Sequence, residues 1–196
     1  ERPQKGRFRQ FHQVGVEYLG FEEGDSEYEL ISMVLQINKL IGISDYTIKI
    51  NHLGDQLAKD SFCNSLVAFL QPHINELHEK DQARLRSNPL RVLDSKEKST
   101  QALLKKGPKF QDYISEDSRN FLQNLVDTYS NHCNIQIDQS LVRGLDYYTG
   151  IVFESVSEKL GAQDAILGGG RYDNLSKQLG GKEMHAIGFA IGVERI

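Results

Sequence analysis

The chain has 196 residues, of which 39% are hydrophobic and 26% are charged, and its net charge is -4 at pH 7. At about 150 residues per domain, this length predicts one domain, or one domain with a smaller unit attached, that can bury a core without disulfides or a structural metal. No run approaches the ~20 apolar residues of a membrane-spanning helix, which argues against an integral membrane protein. The two cysteines, Cys63 and Cys133, form no CxxC pair, which favours a reducing, intracellular setting.

The charges are unevenly distributed. Nine basic and three acidic residues lie between Lys80 and Lys109, whereas the stretch from Glu17 to Glu29 holds six acids and no base. A local excess of this kind could steer a polyanion to one face of an otherwise acidic protein, although charge alone favours an ordinary solvated helical face.

The first fifty residues predict a strand, a helix and a second strand. Residues 7–18 are rich in aromatic and β-branched types, which is typical of a strand. Apolar residues then recur at helical spacing from Leu30 to Ile41, after a Ser26 to Glu29 pair that resembles a capping box. Residues 46–52 alternate between apolar and polar like a half-buried strand.

The middle of the chain predicts helices, and the last third predicts strands. Helices are expected at 55–70, 73–86 and 116–132, so residues 54–130 are assigned to a mostly helical insertion domain. Strands are expected at 135–138, 151–156 and 185–192. The predicted fold class is α+β, with a mixed or antiparallel sheet whose core, residues 1–53 and 131–196, is split by the insertion.

A basic loop leads into the first strand. Its cations, Arg2, Lys5, Arg7 and Arg9, surround a Pro and a Gly. A mobile basic loop on a rigid strand suits polyphosphate binding, and Phe8 or Phe11 could stack on a base. An exposed hairpin with ordinary surface charges is the alternative.

Gln13 and Glu17 lie four residues apart on that strand, so they share one face of the sheet. An amide and a carboxylate that face inward favour a polar pocket for an amine or an imidazole. A solvated outward face is equally simple.

The segment LVRGLDYYTGIVFE at 141–154 places Arg143 next to Asp146, Tyr147 and Tyr148. A partly buried arginine beside tyrosines is typical of a site that neutralises an anion, although an Arg–Asp pair that braces a turn is the alternative.

Two further glycine-rich segments follow. LGGGRYDNL at 167–175 allows the backbone to approach a ligand closely near Tyr172, but it matches neither a P-loop nor a dinucleotide-binding fingerprint. GFAIGVERI places Arg195 after a buried strand, where it could meet nucleotide phosphates, although a surface Glu–Arg pair is the common reading. The histidines lack metal-ligand spacing, so no metal site is predicted.

Taken together, these segments resemble a family. RPQKGRFRQFHQVGVE is similar to motif 2 of class II aminoacyl-tRNA synthetases of the histidyl type, and LVRGLDYYTGIVFE resembles their histidine-specific signature. GGGRYDNL resembles their glycine-rich pocket strand, IGFAIGVERI their motif 3, and NPLRVLDSK the insertion of bacterial-type members.

The resemblance implies an activity in two steps: histidine and ATP form histidyl-adenylate, and the histidyl group then moves to tRNA(His). It implies that Arg143 is the catalytic residue, which contacts the α-phosphate and the histidine carboxylate. It assigns ATP binding to Arg7, Phe11 and Arg195, with Phe11 on the adenine. The implied histidine-binding residues are Gln13, Glu17, Arg143, Tyr147, Tyr148 and Tyr172.

The implied ligands are histidine, tRNA(His) through the basic insertion, and ATP with Mg²⁺ as substrate, with no permanently bound cofactor. The implied protein is a cytoplasmic homodimer that does not bind a membrane. Motif 1, upstream histidine-binding residues and an anticodon-binding domain are missing from these 196 residues. We therefore expect a piece of a longer protein that has little or no activity alone.

Two rival functions are also compatible with the fold. One is the histidine-sensing, synthetase-like regulatory subunit of ATP phosphoribosyltransferase, which need not keep the phosphate-binding arginines or a long basic insertion. The other is an inactive RNA-binding module, which leaves the dense arginine and tyrosine cluster unexplained.

Overall fold

A six-stranded mixed sheet forms the centre of the protein. The computed structural model describes residues 9–143, 147–157, 159 and 164–196. The strand order is β1-β6-β5-β4-β2-β3, and every neighbouring pair is antiparallel except β2 and β3, which are parallel. The strands are β1 Gln13–Leu19, β2 Thr47–His52, β3 Asn134–Ile137, β4 Thr149–Val156, β5 Ala165–Arg171 and β6 Ala186–Gly192.

In the part of the chain that the structure describes, six α-helices and several short 3₁₀ turns accompany the sheet. The helices are α1 Asp25–Leu40, α2 Gln56–Leu70, α3 Glu79–Ser87, α4 Lys98–Leu104, α5 Glu116–Tyr129 and α6 Leu175–Gln178. Four of them, α2 to α5, lie between β2 and β3 in sequence. Among the described residues, none of the helices is long and apolar enough to pass through a bilayer.

The two faces of the sheet pack against different parts of the chain. On one face, α1 and α5 cover alternate residues of the strands, including Ile151 and Phe153 of β4. Val152 points to the opposite face, where it joins an apolar cluster built largely from the segment between β2 and α5. The alternation follows from the two-residue period of a strand, and it leaves one region of this second face for the site described below.

The α+β class with a mixed sheet is confirmed, and each predicted strand and helix lies close to an observed one. The division into a core and an insertion at 54–130 stays a prediction. The packing bears on its second boundary, because Leu122 and Leu125 of α5 belong to the same cluster as the sheet residues Ile48 and Ile50.

Two predicted element starts are wrong. The strand predicted at 7–18 begins only at Gln13: residues 9–12 are not part of it, because the backbone N–H of His12 donates to the Glu194 carboxylate instead of entering a ladder. Residues 7 and 8 lie outside the described residues. Helix α1 begins at Asp25, and Glu27, not Glu29, accepts the cap hydrogen bond, from the Gly24 N–H at 2.8 Å. Ser26 is not the cap, because its hydroxyl donates to Glu27 and accepts from Arg171.

The predicted helix at 73–86 is also divided. Pro72 lies at the start of a 3₁₀ turn, Gln71–Glu76, and the chain is extended at Leu77. A new helix, α3, then begins behind His78, whose ring nitrogen accepts from the Lys80 N–H.

Candidate active site

Glycines line part of the second sheet face. Gly188 of β6 lies in register with Glu17 of β1 and with Gly170 of β5, and Gly168 is two residues from Gly170 on the same face. We call Gly168, Gly170 and Gly188 the glycine floor. A Cβ at Gly188 would overlap the Glu17 carboxylate, and one at Gly168 would overlap the Arg143 guanidinium. The missing side chains therefore allow two charged groups to lie flat on the sheet.

Glu17 and Tyr172 form one end of the site. The Tyr172 hydroxyl donates a hydrogen bond to the Glu17 carboxylate, and the Tyr172 backbone N–H donates to Ala186 O at 2.7 Å, which fixes the residue where β5 ends. Partial burial raises the pKa of Glu17 above its usual value. The residue as a whole is still exposed, so a bound ligand can reach the carboxylate with an N–H donor.

Three tyrosine rings form the wall beside the glycine floor. The ring centroids of Tyr147 and Tyr148 are 4.7 Å apart, and Tyr172 lies 5.9 Å from the first and 6.2 Å from the second in edge-on contacts. Burial, helped by the neighbouring Tyr148, raises the pKa of Tyr147 to about 12. Its hydroxyl therefore stays protonated at neutral pH and can donate a hydrogen bond.

Arg143 lies across the middle of the site. Its guanidinium sits over Gly168 and forms an ion pair with Glu154 of β4. The two side chains are 23% and 24% exposed, so the pair is partly desolvated but reachable. A partly dry guanidinium of this kind can neutralise charge that develops on a bound phosphate or carboxylate.

The loop that carries Arg143 is braced on both sides. Before it, the Asn51 side-chain amide donates to Leu141 O at 3.1 Å. After it, the buried Lys59 ammonium donates to Tyr148 O at 2.8 Å. The backbone flanking Arg143 is thus held by β2 and by α2, as a site on a rigid scaffold requires.

The sequence model of the histidyl-tRNA synthetase family matches residues 1–196, the whole length of the chain. The chain belongs to the histidyl-tRNA synthetase family. A curated histidine--tRNA ligase of Francisella tularensis subsp. novicida (strain U112) is 46% identical over 198 residues. The alignment covers 100% of this chain and 47% of that protein, so the chain spans about half the length of the curated relatives it matches.

Solved structures of the histidyl-tRNA synthetase family share the fold. The apo S. aureus histidyl-tRNA synthetase superposes with a TM-score of 0.72 at 31% identity, over 95% of this chain and 46% of that one. A Bacillus halodurans C protein described as an ATP phosphoribosyltransferase regulatory subunit/histidyl-tRNA synthetase superposes with a TM-score of 0.60 at 23% identity. That match covers 94% of this chain and 52% of that one, and it shows the fold alone.

Two of the three predicted ATP-binding residues, Phe11 and Arg195, lie away from Glu17, at the other end of β1. Gln13 pairs with Gly192 there, and the Arg195 Nη1 donates to Ala165 O at 2.6 Å. Phe11 is 57% exposed, so its ring is available for stacking. Arg7 lies outside the described residues.

A clamp ties the start of β1 to the end of β6 at the same place. The carboxylate of Glu194 accepts from the His12 backbone N–H at 2.8 Å and contacts the His12 ring, while the Val193 N–H donates to His12 O at 2.9 Å. The segments resembling motif 2 and motif 3 are thereby fixed to each other.

The structure brings most of the predicted histidine-binding residues together. Glu17, Arg143, Tyr147, Tyr148 and Tyr172 surround the glycine floor. Gln13 shares the face of Glu17 but stands four residues along β1, about 13 Å away at the usual rise of a strand. It stands opposite Gly192, at the Arg195 end of β1.

Arg171 follows the three glycines of GGGRYD, but it faces the protein interior. It is 2% exposed and binds Glu27, Asp173, Ser26 and Phe21 O. It is a structural residue that ties β5 to α1.

Glu154 is the site residue that the sequence analysis missed. It stands in the segment already singled out, two residues after Val152, so strand periodicity places both on the second face. The two-residue period of the strand could therefore have identified Glu154 from the sequence. Among the described residues, no group of three or more His, Cys, Asp or Glu side chains is arranged to hold a metal ion.

Proposed function

We propose that this chain is the catalytic core of a histidine–tRNA ligase, which activates histidine with ATP to histidyl-adenylate and transfers the histidyl group to tRNA(His). The observation that carries the proposal is the placement of an anion receptor, Arg143, and an imidazole acceptor, Glu17, on one glycine floor. Family membership and the curated relatives' names support it.

The histidine imidazole would lie between Glu17 and the tyrosine wall. Glu17 accepts a ring N–H, and Tyr172, which already donates to Glu17, holds that carboxylate in place. Because the pocket floor consists of glycine backbone, a flat aromatic ring can lie close to the sheet. The hydroxyl of Tyr147 supplies a further polar contact. Gln13, about 13 Å along β1 from Glu17, would contact the histidine away from its imidazole.

Activation needs charge neutralisation and alignment. The histidine carboxylate attacks the α-phosphorus of ATP, the bond to the bridging oxygen breaks, and pyrophosphate leaves. Arg143 stabilises the negative charge that develops on the α-phosphate and orients the attacking carboxylate. Arg7 and Arg195 bind the outer phosphates of ATP, which enters as its Mg²⁺ complex, and Phe11 stacks on the adenine.

The remaining partners follow from the same proposal. The basic stretch from Lys80 to Lys109 contacts the acceptor arm of tRNA(His) through its phosphates. The full-length enzyme is a homodimer and works in the cytoplasm, where its tRNA substrate is charged.

The test is histidine-dependent ATP–pyrophosphate exchange by the full-length protein that carries this chain, with residues 1–196 assayed beside it. Exchange that requires histidine is expected from the full-length protein. Little or no exchange is expected from residues 1–196, since they span 47% of the curated relative's length.

The variant Glu17→Gln sharpens the test. Loss of the charged acceptor should weaken histidine binding about 10- to 100-fold, the size expected for a hydrogen bond to a charged group, and leave the KM for ATP unchanged. Glu183→Gln is the matched control, because Glu183 is an exposed carboxylate that pairs with Lys177. Unchanged histidine affinity in Glu17→Gln would remove Glu17 from the pocket.

A protein that binds histidine but shows no exchange would instead support the regulatory-subunit alternative. The curated relatives favour the ligase, because they are named histidine--tRNA ligases at 46% identity over the whole chain. The neighbour with regulatory-subunit wording is 23% identical.

A further inference from the structure

Helix α2, the first helix of the predicted insertion, turns a lysine toward the sheet. Its inward face includes Ala58, Lys59, Phe62 and Leu66, which recur at helical spacing. The three apolar members belong to the cluster on the second sheet face, and so does Tyr148. Lys59 is 5% exposed, whereas lysines are almost never buried unless they are paired. A charge at this depth is stabilised by the polar groups that it contacts.

The Lys59 ammonium binds a main-chain carbonyl at the edge of the ladder. Within the described residues, cross-strand pairing of β4 starts at Thr149 toward β5 and at Ile151 toward β2, so Tyr148 O lies just outside it. The Lys59 Nζ donates to that oxygen at 2.8 Å, in a buried contact. A hydrogen bond from a charged donor is stronger than one between neutral groups. The insertion therefore holds the backbone of a residue of the tyrosine wall.

The start of α2 is itself fixed to the start of β4. Gly54 O accepts from the Gly150 N–H at 2.9 Å, and Gly150 O accepts from the Leu53 N–H at 2.7 Å. Both glycines have positive φ angles, +60° for Gly54 and +51° for Gly150, which L side chains rarely adopt. Lys59 is thus presented from a turn that is hydrogen-bonded to the chain two residues after Tyr148.

The placement of Tyr148 affects the rest of the tyrosine wall. Its ring centroid lies 4.7 Å from that of Tyr147 and 6.2 Å from that of Tyr172. Tyr172 in turn donates to the Glu17 carboxylate. Because protein interiors are close-packed, a shift of the Tyr148 backbone displaces the rings beside it. The contact from Lys59 therefore bears on the end of the site assigned to the imidazole, and not on the end assigned to ATP.

We propose that Lys59 is a positioning residue for the histidine pocket: by holding Tyr148 O, it fixes the tyrosine wall beside the glycine floor. The inference rests on the proposed function, in which the imidazole lies between Glu17 and that wall. It makes the first helix of the insertion a part of the amino-acid site, separately from any contact with tRNA.

The first test is Lys59→Met in histidine-dependent ATP–pyrophosphate exchange by the full-length protein. Methionine can fill the space in the apolar cluster, but it cannot donate to Tyr148 O. The KM for histidine should rise about tenfold, less than the loss that a misplacement of about 1 Å can produce, and the KM for ATP should stay nearly unchanged. Equal increases in the two KM values would overturn the proposal, because they would show a general disturbance of the protein.

Thr100→Val is the matched control for a loss of stability. Thr100 is fully buried, and its hydroxyl donates to Asp81 at 2.8 Å, so the substitution removes a buried hydrogen bond inside the insertion. Thermal unfolding confirms that both variants are folded. Thr100→Val should leave the KM for histidine unchanged. An increase as large as that in Lys59→Met would refute the proposal, since the insertion would then act through stability alone.

A second measurement needs no substitution. Hydrogen–deuterium exchange of the full-length protein is followed by mass spectrometry with and without saturating histidine. Histidine should slow the exchange of α2 amides together with those of residues 147–156, because the Lys59 contact joins the two segments, and it should leave α4 unchanged. Protection of 147–156 without protection of α2 refutes the inference, and this result is decisive even if Lys59→Met fails to fold.

The two measurements separate failure of the inference from failure of the proposed function. Protection of α2 by histidine, in a protein without histidine-dependent ATP–pyrophosphate exchange, would refute the ligase and keep Lys59 as a support of the pocket. Histidine-dependent ATP–pyrophosphate exchange with an unaltered KM for histidine in folded Lys59→Met would keep the ligase and remove Lys59 from its positioning role.

Discussion

Arg171, at the end of β5, and Arg143, which precedes β4, have opposite surroundings. Arg171 is 2% exposed, and every N–H of its guanidinium is used: Nε and Nη2 bind Glu27, Nη2 also binds Ser26, and Nη1 binds Phe21 O and Asp173. Arg143 is 23% exposed, binds Glu154 and lies over backbone without side chains.

The difference shows how to tell a structural arginine from one that is available to a ligand. A guanidinium whose N–H donors all meet fixed acceptors has no donor left for a ligand. Its removal leaves buried carboxylates without a charge partner. A guanidinium that is partly open above a glycine can accept a new anion with little rearrangement. Both residues are arginines with glycines nearby. What distinguishes the structural arginine from the available one is whether all of its N–H donors are already hydrogen-bonded.

The largest expected effect on stability is that of Arg171→Met. The substitution leaves Glu27 buried without its charge partner, which should lower the free energy of unfolding by about 3–5 kcal/mol. Urea unfolding followed by circular dichroism measures it. A loss below about 1 kcal/mol would contradict the structural role assigned to Arg171.

Arg143→Ala should show the reverse pattern. The exchange rate should fall about 10²- to 10³-fold, as for the removal of one donor to a developing charge, while histidine affinity falls less. Stability should change by no more than about 1 kcal/mol, because the Glu154 partner is partly solvated. An equal loss in rate and in histidine affinity would refute a role specific to the transition state.

The smallest of the three effects is expected from Gly168→Ala. The added methyl group meets the far end of the Arg143 side chain, so it should displace the guanidinium and lower the exchange rate about tenfold without unfolding the protein.

A double-mutant cycle isolates that mechanism. If Gly168 acts through Arg143, Gly168→Ala should cost little more in a protein that already carries Arg143→Ala. Full additivity of the two losses would show that the glycine has another function.

Periodicity predicted most elements of the fold because each has one clear apolar face. Leu30, Ile31 and Val34 recur at helical spacing, and all three are fully buried in α1. The element starts were predicted less well. The start of β1 depends on Glu194, which is 182 residues away in sequence, and no local pattern reveals such a partner.

The site could be predicted in part for the same reason. Glu17, Tyr147, Tyr148 and Tyr172 stand in segments whose composition already indicates a polar pocket, and they do lie together. Glu154 was missed, because it is a single carboxylate in an otherwise ordinary strand. Its importance comes from Arg143, which pairs with it only after folding.

Local patterns and motifs were sufficient to predict the family, the α+β class and the segments that form the site. The packing of distant segments established which arginine has all its donors bonded, which one is open, and that Glu154 is the carboxylate paired with Arg143. Hydrogen-bond capacity and desolvation depend on groups that are distant in the chain, and folding alone brings those groups within a few ångströms of one another.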